Sequence, residues 1–168
     1  MKVIRKATVQ DAGAIARVQV YSWQHAYRGI IPDDFLDQLS VLRRTEFWLS
    51  NLAGEAEEVL VVEEGSEVVG FASFGASRDE YAAPNTAELY AIYIASDHWG
   101  RGCGGLLWAE VERILINARF TKVTLWVLAG NQHGRRFYER HGFRADGTAK
   151  VVSFSGTALS EIRYVKDF

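Results

Sequence analysis

Six consecutive positions, Gly100-Arg101-Gly102-Cys103-Gly104-Gly105, place four glycines between a β-rich run and a run with helical periodicity. A chain that leaves a strand and opens a helix presents unbonded backbone N–H groups and the positive end of the helix dipole. Glycine lets the main chain approach an anion closely and adopt positive φ, and Arg101 adds a charge, so a phosphate is the expected occupant. A merely flexible loop would gain nothing from so many glycines and would lose entropy on ordering them. Gly100, Gly102 and Gly105 also satisfy the G-x-G-x-x-G spacing of dinucleotide folds, which keeps an NAD-dependent oxidoreductase open as an alternative. Against it, the next strand ends Leu128-Ala129-Gly130-Asn131, with no carboxylate to hold a ribose. No Gly-Lys-Ser/Thr follows, so a P-loop nucleotidase is not expected. Cys103 has no visible partner base, and His25, His98, His133 and His141 lack metal-ligand spacing. Neither a cysteinyl intermediate nor metal catalysis is therefore expected.

The elements that must position this turn follow from patterning. Lys2 to Lys6 reads as a strand, and Thr8 with Asp11 three positions on resembles a capping box opening a helix that runs toward Trp23. Ile31-Pro32-Asp33-Asp34 breaks that helix, and a second covers Val41 to Ser50. Val59 to Glu63 and Glu67 to Phe74 form a hairpin across Glu64-Gly65-Ser66, and Ala87 to Ile94 is a further strand leading into the glycines. Leu106, Leu107, Val111, Ile114, Leu115 and Ala118 recur at helical spacing between Gly104 and Phe120. Val123 to Leu128 is a buried-strand pattern, Asn131 to His141 a helix closed by Gly142, and a strand starts at Gly142 to Gly147. Val151 to Phe154 and Ala158 to Val165 make a last hairpin through Ser155-Gly156-Thr157. The order β α α β β β α β α β β predicts an α/β fold of the α+β type. It has a mixed, mainly antiparallel central sheet of about seven strands and helices on both faces.

Composition bounds the function. With 168 residues and no repeat, low-complexity tract or linker, the chain is expected to form one domain over 1–168. Nineteen Lys and Arg against twenty-one Asp and Glu provide no positive field, so nucleic acid and anionic membranes are not expected partners. The N-terminal residues lack the apolar run of a signal peptide, and a single cysteine suits a reducing compartment, so a cytoplasmic location is expected.

The stretch Ile94-Ala95-Ser96-Asp97-His98-Trp99-Gly100-Arg101-Gly102-Cys103-Gly104 resembles the acetyl-coenzyme A signature of the GNAT superfamily of N-acetyltransferases. Asn131-Gln132-His133-Gly134-Arg135-Arg136-Phe137-Tyr138-Glu139-Arg140-His141-Gly142-Phe143 is similar to the next motif of that family. In it, an asparagine is followed seven residues later by a tyrosine and then by Gly-Phe. The element order agrees from end to end, and Trp23-Gln24-His25-Ala26-Tyr27-Arg28-Gly29 with Ile31-Pro32 is similar to a subgroup containing polyamine acetyltransferases. Three positions depart or vary: Trp99 stands where the family has Gln or Arg, Ser96 where it has proline, and the small residue after the asparagine is Gly134.

The resemblance implies acetyl-coenzyme A as co-substrate, with no metal, and direct transfer to a primary amine of a small molecule or peptide. It also implies a splayed strand pair. The strand ending at Ile92, Tyr93 and Ile94 parts from its neighbour, and its free backbone, with Trp99, Gly100, Arg101, Gly102, Cys103, Gly104, Gly105 and Asn131, holds the cofactor. Tyr138 occupies the family's general-acid position. Glu88 is the expected base, because alternation along a strand gives it the parity of Ile92 and Ile94, and an ammonium must lose a proton before it attacks. Trp23, Tyr27 and Tyr90 are expected to line the acceptor pocket, and Asp33-Asp34 and Glu55-Ala56-Glu57-Glu58 to attract a polyamine. Arg135, Arg136, Arg140 and Arg144 form a basic cluster read as a solvated helix face. A non-catalytic domain sensing coenzyme A or a nucleotide is the competing reading. A homodimer is compatible with such sheets, with no interface identified.

Overall fold

The computed structural model describes residues 1–54 and 56–168. Strand β1 (Lys2–Lys6) leads to helices α1 (Ala12–Ala26), α2 (Asp33–Asp37) and α3 (Val41–Ala53), then to strands β2 (Glu58–Glu64), β3 (Glu67–Ala76) and β4 (Thr86–Ile94). Helix α4 (Cys103–Asn117), strand β5 (Lys122–Leu128) and helix α5 (Gln132–Arg140) follow, and β6 (Arg144–Phe154) and β7 (Thr157–Asp167) close the chain. One seven-stranded sheet, ordered β1-β2-β3-β4-β5-β7-β6, contains all of these strands. Among them only the β4–β5 pairing is parallel. The mixed, mainly antiparallel sheet with helices on both faces is as expected. Two details differ: the Pro32 break is followed at once by the single-turn α2, and the two runs read on either side of Lys150 are one strand, β6, with a register shift between Ala145 and Ala149.

The faces are built by alternation. On one, Leu60, Val62, Ala72, Phe74, Ala87 and Leu89 pack against Leu107, Trp108, Val111 and Leu115 of α4. These four recur at 3.6-residue spacing, so one stripe of the helix is apolar and the rest faces water. On the other face, Val59, Val61 and Phe71 meet Ile15, Ala16 and Val18 of α1 and Trp48 of α3. A third cluster, around Tyr27, Ile31, Leu36 and Leu128, packs the end of α1 and the β6–β7 hairpin against the exit of β5.

One ion pair fastens the N-terminal strand to α1. The Arg5 guanidinium donates to both carboxylate oxygens of Asp11 at 2.8 Å and also reaches Glu63 of β2, while the Thr8 N–H donates to Asp11 at 2.7 Å. The hydrogen bonds from Arg5 hold the Asp11 carboxyl down at about 2. An unfolded aspartate titrates near 3.8, so the ionised pair contributes stability above that pH, and the contribution disappears as pH falls toward the folded value. Asp11→Asn is expected to cost about 2 kcal/mol at neutral pH, roughly 5 °C in melting temperature. Thermal unfolding of both proteins between pH 7 and pH 2 checks this: the gap should narrow below about pH 4, and a gap independent of pH would contradict it.

Candidate active site

The site is built on a gap in the sheet. β4 and β5 pair through Thr86/Lys122, Ala87/Val123 and Glu88/Thr124, and their pairing ends there, six residues before the end of β4. On its other edge β4 stays paired with β3 as far as Ile94. Ala95 donates to the Val69 carbonyl at 2.8 Å. By antiparallel alternation, Tyr93/Phe71 is then a bonded pair, and Ile92 and Ile94 turn their N–H and C=O groups away from β3, into the gap. This is the splay expected of the strand pair.

Beside the gap lies a cleft of about 630 Å³. Trp99, Gly100, Gly102, Gly104 and Gly105 line it on one side, Asn131, Phe137 and Tyr138 on the other. Gly100 (φ +73°) and Gly102 (φ +82°) adopt the left-handed conformation that favours glycine, and no heavy atom of the described residues lies within 4 Å of where a Cβ would stand on either. The N-terminus of α4 thus opens onto unobstructed space, as a bound phosphate requires. Gly104 has a different reason to be small: a Cβ there would lie 3.0 Å from the Phe137 ring, so α4 and α5 approach each other over it.

Not every residue expected at the cofactor reaches it. The Arg101 side chain turns toward Glu64, 4.0 Å away, and does not line the cleft. Cys103 lines it, yet its thiol is buried in the core against α4's neighbours, so the residue contributes main chain. The Ile94 carbonyl already accepts the Trp99 indole N–H at 2.7 Å and the Ser22 hydroxyl at 3.1 Å, which leaves Ile92 as the strand position with a free pair of backbone groups. The Trp99 ring itself stacks on His133 of α5, 4.5 Å between centroids and 15° from parallel, across the mouth of the cleft. The basic cluster disperses: Arg135 holds the Tyr164 hydroxyl and the Ala129 carbonyl, Arg144 pairs with Asp167, and Arg140 alone among the four lines the cleft.

A second cavity of about 240 Å³ lies on the α1 side of the sheet, lined by Trp23, Tyr27, Glu88, Tyr90, Trp126 and Tyr138 among others. Tyr27, Ile92, Tyr93, Asn131 and Tyr138 line both spaces, which therefore meet where β4 leaves β5. Burial raises the phenol pKa of Tyr27, Tyr93 and Tyr138 above the ordinary value, so at neutral pH the junction holds three protonated hydroxyls. The Tyr27 and Tyr93 oxygens are 3.4 Å apart.

Glu88 is present at the cavity for a reason other than strand alternation. β4 carries one extra residue, Tyr90, opposite the Ser73/Phe74 step of β3. A bulge reverses parity beyond it, so Ile92 and Ile94 pack on the α4 face with Leu89, while Glu88 lies on the opposite face with Ala91 and Tyr93. Its carboxylate is 6% exposed and accepts the Arg78 backbone N–H at 2.8 Å, with the Arg78 guanidinium 3.8 Å away. The parity argument fails, and the position survives because Glu88 shares the smaller cavity with Trp126, which stands two residues beyond its pairing partner on β5.

Several lining residues carry no local signal. Trp126, Lys150, Phe154 and Glu161 come from β5, β6 and β7 and reach the cavity only through sheet order. The acidic runs do not line it: Asp33 pairs with Arg28, Glu58 with Lys6, Glu57 bonds Asn51 and Ser73, and Glu55 lies outside the described residues.

Asn131 caps α5, its side-chain oxygen accepting the Gly134 N–H at 3.0 Å. A Cβ at Gly134 would fall 2.5 Å from the Asn131 amide nitrogen, which explains the glycine. Asn131→Ala is expected to cost about 1 kcal/mol in urea unfolding and Asn131→Asp almost nothing, since aspartate caps as well. Equal losses in both variants would mean that the cap contributes little.

The comparisons with known proteins agree with this geometry. A sequence model described as the Acetyltransferase (GNAT) family matches residues 18–143. The Uncharacterized N-acetyltransferase YuaI of Bacillus subtilis is 35% identical over 132 residues, 78% of this chain and 74% of that protein. A Spermidine N(1)-acetyltransferase of Thermoplasma acidophilum is 23% identical over 150 residues, 86% of this chain and 89% of its own. Among solved structures, the PaiA N-acetyltransferase of Thermoplasma acidophilum in complex with coenzyme A shares the fold with a TM-score of 0.79 at 20% identity, covering 100% of this chain and 99% of that one. With the splayed strands, the glycine turn on α4 and the asparagine-capped α5 all in place, the chain belongs to the GNAT family of N-acetyltransferases.

Proposed function

We propose that the protein transfers the acetyl group of acetyl-coenzyme A directly to a primary amine of a small molecule or peptide. The observation that carries this reading is the meeting of two cavities at one point of broken strand pairing, one opening on a phosphate-ready helix N-terminus and the other on a buried carboxylate. Acetyl-coenzyme A, when bound, supplies an acetyl group activated as a thioester. The residues fit it: the open glycines Gly100 and Gly102 leave room for the pyrophosphate, and Ile92 offers a backbone donor and acceptor where β5 has withdrawn. Trp99 keeps the Ile94 carbonyl satisfied, so the cofactor's strand-like arm depends on Ile92.

In the acceptor cavity, Glu88 takes the proton that an ammonium must lose before it attacks. The Arg78 N–H orients that carboxylate. Tyr138 stands at the junction with its hydroxyl protonated, because burial holds its pKa well above the ordinary phenol. Full proton transfer from such a phenol to a thiolate, which titrates near 8.5 in a cysteine, is uphill. Tyr138 therefore acts as a hydrogen-bond donor that stabilises charge developing on the departing sulfur. The tyrosine hydroxyls and the aromatic walls of the junction also keep bulk water from the thioester.

Thermal unfolding in the presence of acetyl-coenzyme A or NAD, each at about a hundred times its dissociation constant, tests the cofactor. Stabilisation of about 2.7 kcal/mol, roughly 5–10 °C, is expected with acetyl-coenzyme A alone. A shift with NAD alone would overturn the reading. Tyr138→Phe and Glu88→Gln are each expected to lower kcat on an amine acceptor at least 100-fold while preserving the acetyl-coenzyme A shift. Unchanged turnover at every pH would remove the corresponding role.

A further inference from the structure

The smaller cavity is chemically two-sided. Four charged side chains line it, the acids Glu88 and Glu161 and the bases Arg78 and Lys150. Each acid lies beside a base: Arg78 is 3.8 Å from Glu88, and Lys150 is 3.6 Å from Glu161. Both bases are steadied on aromatic faces, the guanidinium of Arg78 3.7 Å from the Tyr90 ring centre and the ammonium of Lys150 4.1 Å from that of Trp126. The segment carrying Arg78 is anchored as well, since the neighbouring Asp79 accepts the Trp126 indole N–H at 2.9 Å and pairs with Arg163 at 3.2 Å. Both cations thus stand at the rim of the cavity, partly exposed, each between an acid and an aromatic face.

A polyamine would enter this space against two positive charges. A molecule with one ammonium and one oxyanion matches it better. The amine and carboxylate of an amino acid lie side by side, as the cavity's acids and bases do, so such a zwitterion can align antiparallel to one of the acid–base pairs. A cavity of about 240 Å³ holds the volume of roughly eight waters at about 30 Å³ each, the scale of a single amino acid. The lining combines the rings of Trp23, Tyr27, Tyr90, Trp126 and Phe154 with a surface that is more polar than apolar.

We infer that the acceptor is a small zwitterionic amine, an amino acid or a close analogue bearing a carboxylate or equivalent oxyanion, with its ammonium toward Glu88 and its anionic group held by Arg78 and Lys150. The inference rests on the acetyltransferase reading above. In the transfer, the amine nitrogen forms a bond to the acetyl carbon as the carbon–sulfur bond breaks. Glu88 takes the proton that the ammonium loses before attack, and the second proton, lost from nitrogen as the amide forms, goes to the departing sulfur, so coenzyme A leaves as the thiol.

The test pairs each of the apolar and aromatic amino acids with its amide and its decarboxylated amine, and adds spermidine, all assayed with acetyl-coenzyme A by thiol release and by mass of the acetylated product. Prior thermal shift with coenzyme A separates failure of the cofactor reading, where no shift occurs, from failure of this one. The expected result is at least tenfold higher kcat/KM for one or more free amino acids than for their amides and amines. Lys150→Gln should raise KM for that amino acid at least tenfold while altering KM for its decarboxylated amine less than twofold, and Arg78→Gln should raise KM for the amino acid at least tenfold more than KM for the amine. Spermidine or the decarboxylated amines turning over as well as or better than every amino acid would overturn it. So would a coenzyme A-binding enzyme that acetylates none of the amino acids, or variants that lose both acceptor types equally.

Discussion

The early end of pairing between β4 and β5 is the constraint on which the rest of this molecule depends. A strand inside a sheet has every backbone group bonded, so an edge opened in the middle of the sheet must be compensated or left to a ligand. Here the opening begins after Glu88/Thr124, with both strands still anchored on their outer edges, β4 to β3 and β5 to β7. The gap is therefore framed on both sides by paired strands. Helices α4 and α5 both start beside it, and their close approach at Gly104 against Phe137 limits the width of the cleft.

The bulge at Tyr90 determines what each half of the gap contains. By adding one residue to β4, it turns Ile92 and Ile94 to the α4 side and Glu88, Ala91 and Tyr93 to the α1 side. Along this one strand Glu88 lines only the smaller cavity and Ile94 only the larger cleft, while Ile92 and Tyr93 between them line both. Tyr90 is carried across β3 by the same irregularity, its hydroxyl bonding the Ala76 carbonyl, and Gly75 is the residue that leaves it room.

Trp99 shows how a departure from a family pattern is absorbed. The main-chain cradle is untouched, because its N–H groups belong to the turn and not to the side chain. The indole instead bonds the Ile94 carbonyl and lies flat on His133, joining the β4–α4 connection to α5 at the mouth of the cleft. An aromatic stack thus lies in the lining of the cleft at the position where the resemblance implies a polar side chain.

Short-range patterns are readable from the residues alone because their physics is local. The glycine turn, the Asn131 cap with Gly134, the amphipathic stripe of α4 and the alternating strands each depend on neighbours within a few positions, so the fold class and the two cofactor motifs are legible in the chain itself. Tyr138 follows from its interval to Asn131. Other features depend on contacts between distant segments. Strand alternation predicts the wrong face for Glu88, since a bulge depends on register with β3 and leaves no mark in β4 itself. Arg101 and the acidic runs suggest site residues by charge, yet a charge points wherever its partner stands, and Glu64, Arg28, Lys6, Asn51 and Ser73 claim them. The smaller cavity is least readable of all. Its walls come from α1, β4, β5, β6 and β7, and Arg78, Lys150 and Glu161 meet there only because the sheet order brings sequence-distant strands side by side.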